Sequence, residues 1–269
     1  MMEVFISVLS RATGHRLAEN IKMISCRELT RRFGDLTAVD HLTLEVAKGT
    51  ICAFLGPNGA GKSTTVKMLC GLLSPSSGEA TICGLKASAH SLELKRKMGV
   101  LPENLGLFDD LTVDEHLLLT GQVYGLPVEA TMARMEQLLN VLDLRNGRKT
   151  FASQCSHGMR KKTALAMALL PNPEVLFLDE PFEAIDPVTS KIMRDLLVNA
   201  SRRGVTVFLT SHILSTVERI ANQIVIIRGG KMVWNSLAAE LPTTLEELYF
   251  ELAEPSVRED LEWLGSVRS

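Results

Sequence analysis

The sequence predicts an α/β protein built around a phosphate-binding loop, and three observations carry that expectation. An apolar run, Ile51-Cys52-Ala53-Phe54-Leu55, leads into Gly56-Pro57-Asn58-Gly59-Ala60-Gly61-Lys62-Ser63-Thr64 and then into a helix-like stretch at residues 65–70. A second short apolar run, Val175-Leu176-Phe177-Leu178, ends in the acidic pair Asp179-Glu180. Between them, residues 104–170 carry helical signals, whereas residues 24–55 alternate apolar and polar as antiparallel strands do. The architecture expected is a phosphate-loop core with an antiparallel β subdomain and an all-helical insert.

In chain order, the loop fits G-x-x-x-x-G-K-[ST] in the strand–loop–helix setting that gives the motif meaning. Thr112-Val113-Asp114-Glu115 reads as a capping box that opens a helix ending near Gly125-Leu126-Pro127. Met132, Met135, Leu138, Leu139 and Leu142 recur at helical spacing and read as a core stripe. Ser156 stands as an N-cap before the helical run at 163–170. Strands are expected at 176–178 and 205–210, joined by a helix that Asp186 caps, Pro187 starts and Gly204 ends. Residues 223–227, Gly229-Gly230 and residues 231–234 read as a closing hairpin. No internal repeat or low-complexity segment interrupts this order.

The loop's chemistry is that of an anion cradle. Its glycines let the backbone wrap closely, so successive N–H groups and a helix N-terminus point at one phosphate chain. Lys62 is placed to reach β- and γ-phosphates, and Ser63 to offer its hydroxyl to Mg²⁺. Acids that end a strand sit at the ligand edge of an open α/β sheet. Asp179 therefore suits a Mg²⁺ ligand, and Glu180 a general base or water-orienting group for γ-phosphate hydrolysis.

Composition bounds the rest. The 269 residues can bury a full core, and 29 Lys and Arg against 31 Asp and Glu give a net charge of −2. No basic field announces nucleic acid, and none is expected as a partner. The pairs and triplets Arg31-Arg32, Arg160-Lys161-Lys162 and Arg202-Arg203 are short and are expected to face solvent. Cys26, Cys52, Cys70, Cys83 and Cys155 show no C-x-x-C spacing, and several lie within apolar runs as the reduced core thiols of a cytosolic protein would. No stretch reaches the ~18–20 apolar residues of a membrane span.

From about Met23 to Trp234 the chain resembles an ATP-binding cassette ATPase, the nucleotide-binding subunit of ABC transporters. The phosphate loop and the Asp179-Glu180 strand match in order. Cys155-Ser156-His157-Gly158-Met159 is similar to the family's signature, Leu-Ser-Gly-Gly-Gln in its commonest form. Phe182-Glu183-Ala184-Ile185-Asp186 resembles the D-loop, and His212 the switch histidine. The sequence carries no Asn-Lys-x-Asp motif of the kind that reads guanine. His157, Met159 and Cys155 depart from the common signature, while Ser156 and Gly158 are kept. Glu103 stands where the family usually has the Q-loop glutamine; a carboxylate is the stronger ligand for a hard cation but cannot donate.

The resemblance implies ATP and Mg²⁺ as cofactors, with the loop residues 56–64 binding ATP, Phe33 stacking on adenine and Val39 packing near the same ring. Ser63, Asp179 and Glu103 would hold the metal, and Glu180 and His212 would be catalytic. Ser156, His157, Gly158 and Met159 would meet the ATP of an opposite subunit, and Asp186 would relay one site's state to the other. It further implies a dimer of two such subunits, expected to be identical, and a separate integral-membrane permease, with this subunit cytoplasmic and peripheral on the inner face of the cell membrane. Drug, sodium or polysaccharide export is the expected task. The expected organisation is an extension at 1–22, an ATPase domain at 23–235 with its helical part at about 104–170, and a helical tail at 236–269. The sequence leaves open whether residues 1–22 are a disordered segment, an added helix or residues ahead of a later start. Two alternatives from other classes are a non-transport cassette ATPase and a regulatory module that binds nucleotide without turnover. Against the first, the chain has one cassette and no coiled-coil or zinc insert. Against the second, Glu180 and His212 are both present.

Overall fold

Two sheets of different character divide the molecule, which a computed structural model describes over residues 21–88 and 90–253. Apart from Ile21 and Lys22, the expected extension at 1–22 lies outside the described residues, as does the expected tail beyond Ala253. The elements run β1 (Lys22–Phe33), β2 (Leu36–Ala47), β3 (Ile51–Leu55), α1 (Lys62–Leu69), β4 (Ser77–Ile82), β5 (Leu85–Lys86), α2 (Leu92–Lys97) and β6 (Met98–Leu101). Then follow α3 (Val113–Val123), α4 (Val128–Val141), α5 (His157–Leu169), β7 (Val175–Leu178), α6 (Pro187–Arg202), β8 (Thr206–Ser211), α7 (Leu214–Val217), β9 (Gln223–Arg228), β10 (Lys231–Leu237) and α8 (Leu245–Ala253).

The smaller sheet has order β2-β1-β4-β5 and is antiparallel throughout. The larger has order β10-β9-β3-β8-β7-β6; all its pairings are parallel except the β9–β10 hairpin at one edge. Every residue of β3 and β7 is buried, as parallel strands covered on both faces must be. The period of two along each strand sorts the core into two halves. Ile51, Ala53 and Leu55 face one cluster with Leu176, Leu178, Leu209 and helices α3–α6. Cys52 and Phe54 face the other with Phe177, Phe208 and the antiparallel sheet. Phe208 stacks between Phe54 and Phe177, with ring centroids 5.2 and 5.8 Å away. Burying such a side chain contributes about 1.5–3 kcal/mol. All five cysteines carry free thiols, and burial pushes that of Cys26 up to about 12.

The register brings the chemistry together. Leu55 pairs with Ser211, and Leu178 with Leu209, so β3, β7 and β8 end at one edge of the sheet. Gly56, Asp179 and His212 therefore emerge side by side although the chain separates them widely.

Three helices open on the caps expected of them. Thr112 accepts from the Glu115 amide while the Glu115 carboxylate accepts from the Thr112 amide, a complete capping box. Ser156 accepts from the Met159 amide, and Asp186 from those of Val188 and Thr189. Two expectations need correction. Met132 is 41% exposed and outside the core stripe, because α4 turns Thr131 toward α3 instead; a Cβ on Gly121 would come within 2.5 Å of the Thr131 hydroxyl. Met135, Leu139 and Leu142 follow Thr131 on that buried face. Lys161 and Lys162, expected in solvent, are 3% and 6% exposed. Helix α5 lies between the sheet and α3, α4 and α6, and each buried lysine donates to a main-chain carbonyl, of Glu180 and Asp143 respectively.

Candidate functional site

A cavity of about 480 Å³ opens where the strand ends converge. Asn58, Gly59, Gly61, Lys62, Ser63 and Thr64 form its floor, and Glu103, Glu180, Glu183 and His212 its acidic and imidazole wall. Phe33, Leu36 and Ala38 complete it on the side of the antiparallel sheet.

The loop can take this shape because two positions admit no side chain. A Cβ on Gly56 would lie 2.5 Å from the Ile227 carbonyl oxygen. At Gly61, φ is +105° and a Cβ would stand 2.3 Å from the Ala38 carbonyl oxygen. Gly61 is also the N-cap of α1, and no side chain caps that helix, unlike α3, α5 and α6. The helix thus points uncapped N–H groups and the positive end of its dipole into the cavity, which is an anion site. Gly56, Pro57 and Ala60 support the loop from beneath and do not line the cavity.

Lys62 lies almost wholly inside the protein. Its Nζ donates to the Gly56 carbonyl at 2.8 Å and stands 3.6 Å from Glu180 Oε1. Glu180 Oε2 accepts from the His212 amide at 3.3 Å and lies 3.0 Å from His212 Nδ1. A carboxylate can only accept, so Nδ1 carries the proton. Glu180 is also one of the few non-glycine residues with positive φ, +47°. Its amide donates to Thr210 Oγ1 at 2.9 Å, and the same hydroxyl donates to Asp179 Oδ1 at 2.5 Å. Asp179 is 3% exposed and sits behind the cavity wall rather than on it. Thr210 orients both acids, and reading motifs alone misses it. Its only sequence signal is a threonine directly after Val207-Phe208-Leu209 and two residues before His212.

Phe33 is half-exposed, with the Arg31 guanidinium 4.5 Å from its ring centroid. Arg31 is therefore not simply solvated, as its cluster suggests; it covers one face of the ring. Val39 does not line the cavity. It is 1% exposed and packs beneath the loop, because alternation along β2 turns Ala38 toward the cavity and Val39 toward the core. Glu103 lines the wall from the exposed segment after β6.

The signature residues are elsewhere. Ser156 and His157 are exposed at the start of α5 and do not touch the cavity. Gly158 lies against the α6 cap: a Cβ there would be 3.4 Å from Thr189 Oγ1 and 3.6 Å from Asp186 Oδ2. The Thr189 hydroxyl and the amides of Thr189 and Val188 hold the Asp186 carboxyl below the usual carboxylate range. Met159 turns inward, its terminal methyl reaching Gly147, and packs on the helical core.

Comparison with known proteins follows these features. The profile of the ABC transporter family matches residues 39–183. The chain is 37% identical over 212 residues to the bacitracin transport ATP-binding protein BcrA of Bacillus licheniformis, covering 78% of this chain and 68% of that one. It is 35% identical to the Nod factor export ATP-binding protein I of Burkholderia lata, covering 78% of this chain and 69% of that one. Among solved structures, the ATP-binding subunit of an ABC transporter superposes with a TM-score of 0.79 at 29% identity, over 85% of this chain and 98% of that one. Among the described residues no helix is long and apolar enough to cross a membrane. A family profile over more than half the chain, together with the arrangement around the loop, leads to one conclusion: the chain belongs to the ABC transporter family, as an ATP-binding cassette and an ATPase.

Proposed function

We propose that this cassette hydrolyses ATP to drive export through a separate membrane-spanning permease, working as a head-to-tail pair of identical copies. The observation that carries the catalytic part is the meeting of Lys62, Glu180 and His212 from three elements within 3–4 Å around one anion cradle. ATP would lie with its phosphates over residues 58–64 and its base on the free face of Phe33. Lys62 would bind the β- and γ-phosphates. Glu180 would take a proton from the attacking water as the water's oxygen bonds to the γ-phosphorus and the bond to the ADP oxygen breaks. His212 holds that carboxylate through Nδ1–H; a contact from Nε2 to the γ-phosphate would require Nε2 to carry a proton as well and donate it.

The donors suit Mg²⁺. Ser63 would supply a hydroxyl, Glu103 a carboxylate, and Asp179, behind the wall, its carboxylate oxygen not engaged by Thr210, directly or through water. Among the described residues no three His, Cys, Asp or Glu side chains form a ligand cluster. That fits a cation completed by phosphate oxygens and water rather than by a protein cage. When bound, the ion would neutralise phosphate charge.

The pairing of copies is supported by the position of Ser156, exposed, and Gly158, half-buried, both away from their own cavity. Contacts made to a γ-phosphate only in a closed pair are the differential contacts that let ATP favour closure. For the permease, the sequence suggests the segment 103–112, with Leu105, Leu107 and Phe108 as its apolar patch. Leu105 and Leu107 are largely packed on the core, and Phe108 alone is well exposed, with one face stacked on His116. A groove of about 540 Å³ beside that segment is the better seat for a permease's cytoplasmic helix. It joins the sheet core to the helical part and is lined by Leu72, Leu92 and Val123, each 66–74% exposed, with Pro102, Leu105 and Tyr124. The name of one relative, the Nod factor export ATP-binding protein I, favours export.

Steady-state hydrolysis with Glu180→Gln tests the assignment. ATP binding should persist, turnover should fall by about 10²-fold or more, and the variant should accumulate as an ATP-bound dimer. Near-normal turnover would remove Glu180 from the role of base.

A further inference from the structure

Lys161 does not belong to any motif that the nucleotide site uses, yet it is among the most buried charges in the protein, 3% exposed. It comes from the second turn of α5, five residues after Ser156, and its Nζ donates to the main-chain carbonyl oxygen of Glu180. That carbonyl also receives the Glu183 amide at 3.4 Å. On the other side of the residue, the Glu180 amide is held by Thr210 at 2.9 Å. Glu180 is therefore gripped at both ends of its backbone while it occupies a left-handed conformation, φ +47°. A non-glycine residue stays in that region only where its surroundings impose it, and such positions concentrate where a side chain must be aimed.

We infer that Lys161 is a positioning residue for hydrolysis: from the signature helix it holds the turn that aims the Glu180 carboxylate at the attacking water. The inference rests on Glu180 being the general base. Burial is the larger influence on Lys161 and holds its ammonium below the ordinary lysine range, while the charges of Glu183, Glu180, Asp179 and Glu103 oppose it. The extra acid at Glu103 is thereby accompanied by a buried cation. The lysine also joins two sites. Ser156 and Lys161 lie on one rigid helix about one and a half turns apart. Whatever seats on Ser156 from an opposite subunit bears, through Lys161, on the base of this subunit.

Lys161→Met and Lys161→Ala remove the donor, and purified full-length variants should be compared with wild type and with Glu180→Gln. For each folded variant, kcat should fall about 10- to 100-fold, as misplacement of a reacting group does. ATP affinity, measured separately with a fluorescent nucleotide, should stay within about 2-fold, the split that marks loss of a transition-state interaction. Lys161→Gln, which keeps an N–H donor, should recover part of the lost kcat. Adding Lys161→Met to Glu180→Gln should lower turnover no further, because both act through one carboxylate. Wild-type kcat in a folded Met or Ala variant overturns the inference. So does a full multiplicative loss in the double variant, which would put the action of Lys161 elsewhere. If Glu180→Gln itself turns over normally, the base assignment has failed instead, and the two failures are told apart by that single measurement.

Discussion

Lys62 Nζ and Glu180 Oε1 stand 3.6 Å apart, with side chains only 7% and 10% exposed. Opposite charges at that depth are tolerable only because each has further partners, the Gly56 carbonyl for the lysine and the His212 Nδ1–H for the carboxylate. Lys62, proposed to bind phosphate, and the proposed base are thus electrostatically one unit. A γ-phosphate competing for Lys62 would loosen its hold on Glu180 as the substrate arrives. Binding and activation of the base share one lysine.

Phe33 should govern affinity more than rate. Phe33→Ala is expected to weaken ATP binding by about 10-fold, within the ~1–3 kcal/mol worth of one base–aromatic stack, while kcat at saturation holds. Phe33→Trp should keep the affinity. Fluorescent-nucleotide titration beside steady-state kinetics checks both, and unchanged affinity in the alanine variant would move adenine away from this ring.

Glu103 should tolerate amide but not truncation. Glu103→Gln retains a metal-ligating oxygen and gains a donor, so much of the activity should survive, whereas Glu103→Ala should lose most of it. Mg²⁺ titrations of turnover read the difference. An alanine variant with wild-type turnover and Mg²⁺ dependence would make Glu103 a bystander.

Two inactive chains should repair each other. A mixture of Lys62→Ala and Ser156→Arg chains contains heterodimers with one intact composite site, so part of the activity should return if a single site can fire. Cysteines placed beside Asn58 and Ser156 should join two chains only when ATP is present. Crosslinks confined within single chains would contradict head-to-tail pairing.

The apolar groove should matter only to the partner. Val123→Glu and Leu72→Glu each put a charge on an exposed wall of that groove, far along the chain from the catalytic residues. ATPase activity of the isolated cassette should persist, and co-purification with the permease should be lost. Complex formation retained in both variants would shift the docking surface elsewhere.

Asp114 should be a stability residue. Both oxygens of its buried carboxylate accept from Arg148 Nε, Oδ2 at 2.8 Å and Oδ1 at 3.0 Å, while Arg148 also meets Glu136. Asp114→Ala removes that buried acceptor but leaves Arg148 partly exposed and still paired with Glu136, so about 1.5 kcal/mol of stability should go with it. Urea unfolding measures the loss. A shift of a few tenths of a kcal/mol would reduce the pair to a surface contact.

What the sequence determined by itself is local. The phosphate loop, its strand and helix, the Thr112, Ser156 and Asp186 caps and the closing hairpin were all legible, because each depends on residue types a few positions apart. Tertiary structure decided which face of each element meets a neighbour. The alternation of β2 exchanged Val39 for Ala38 at the cavity, and the close approach of Gly121 to Thr131 rotated Met132 out of the core. It also decided the fate of charges. Arg160-Lys161-Lys162 reads as a solvated cluster, but α5 is packed on three sides, so two of its lysines found main-chain carbonyls inside the protein. No local pattern announces a carbonyl made available by the left-handed turn at Glu180; only the folding of β7 against α5 and β8 brings Lys161 and Thr210 to it.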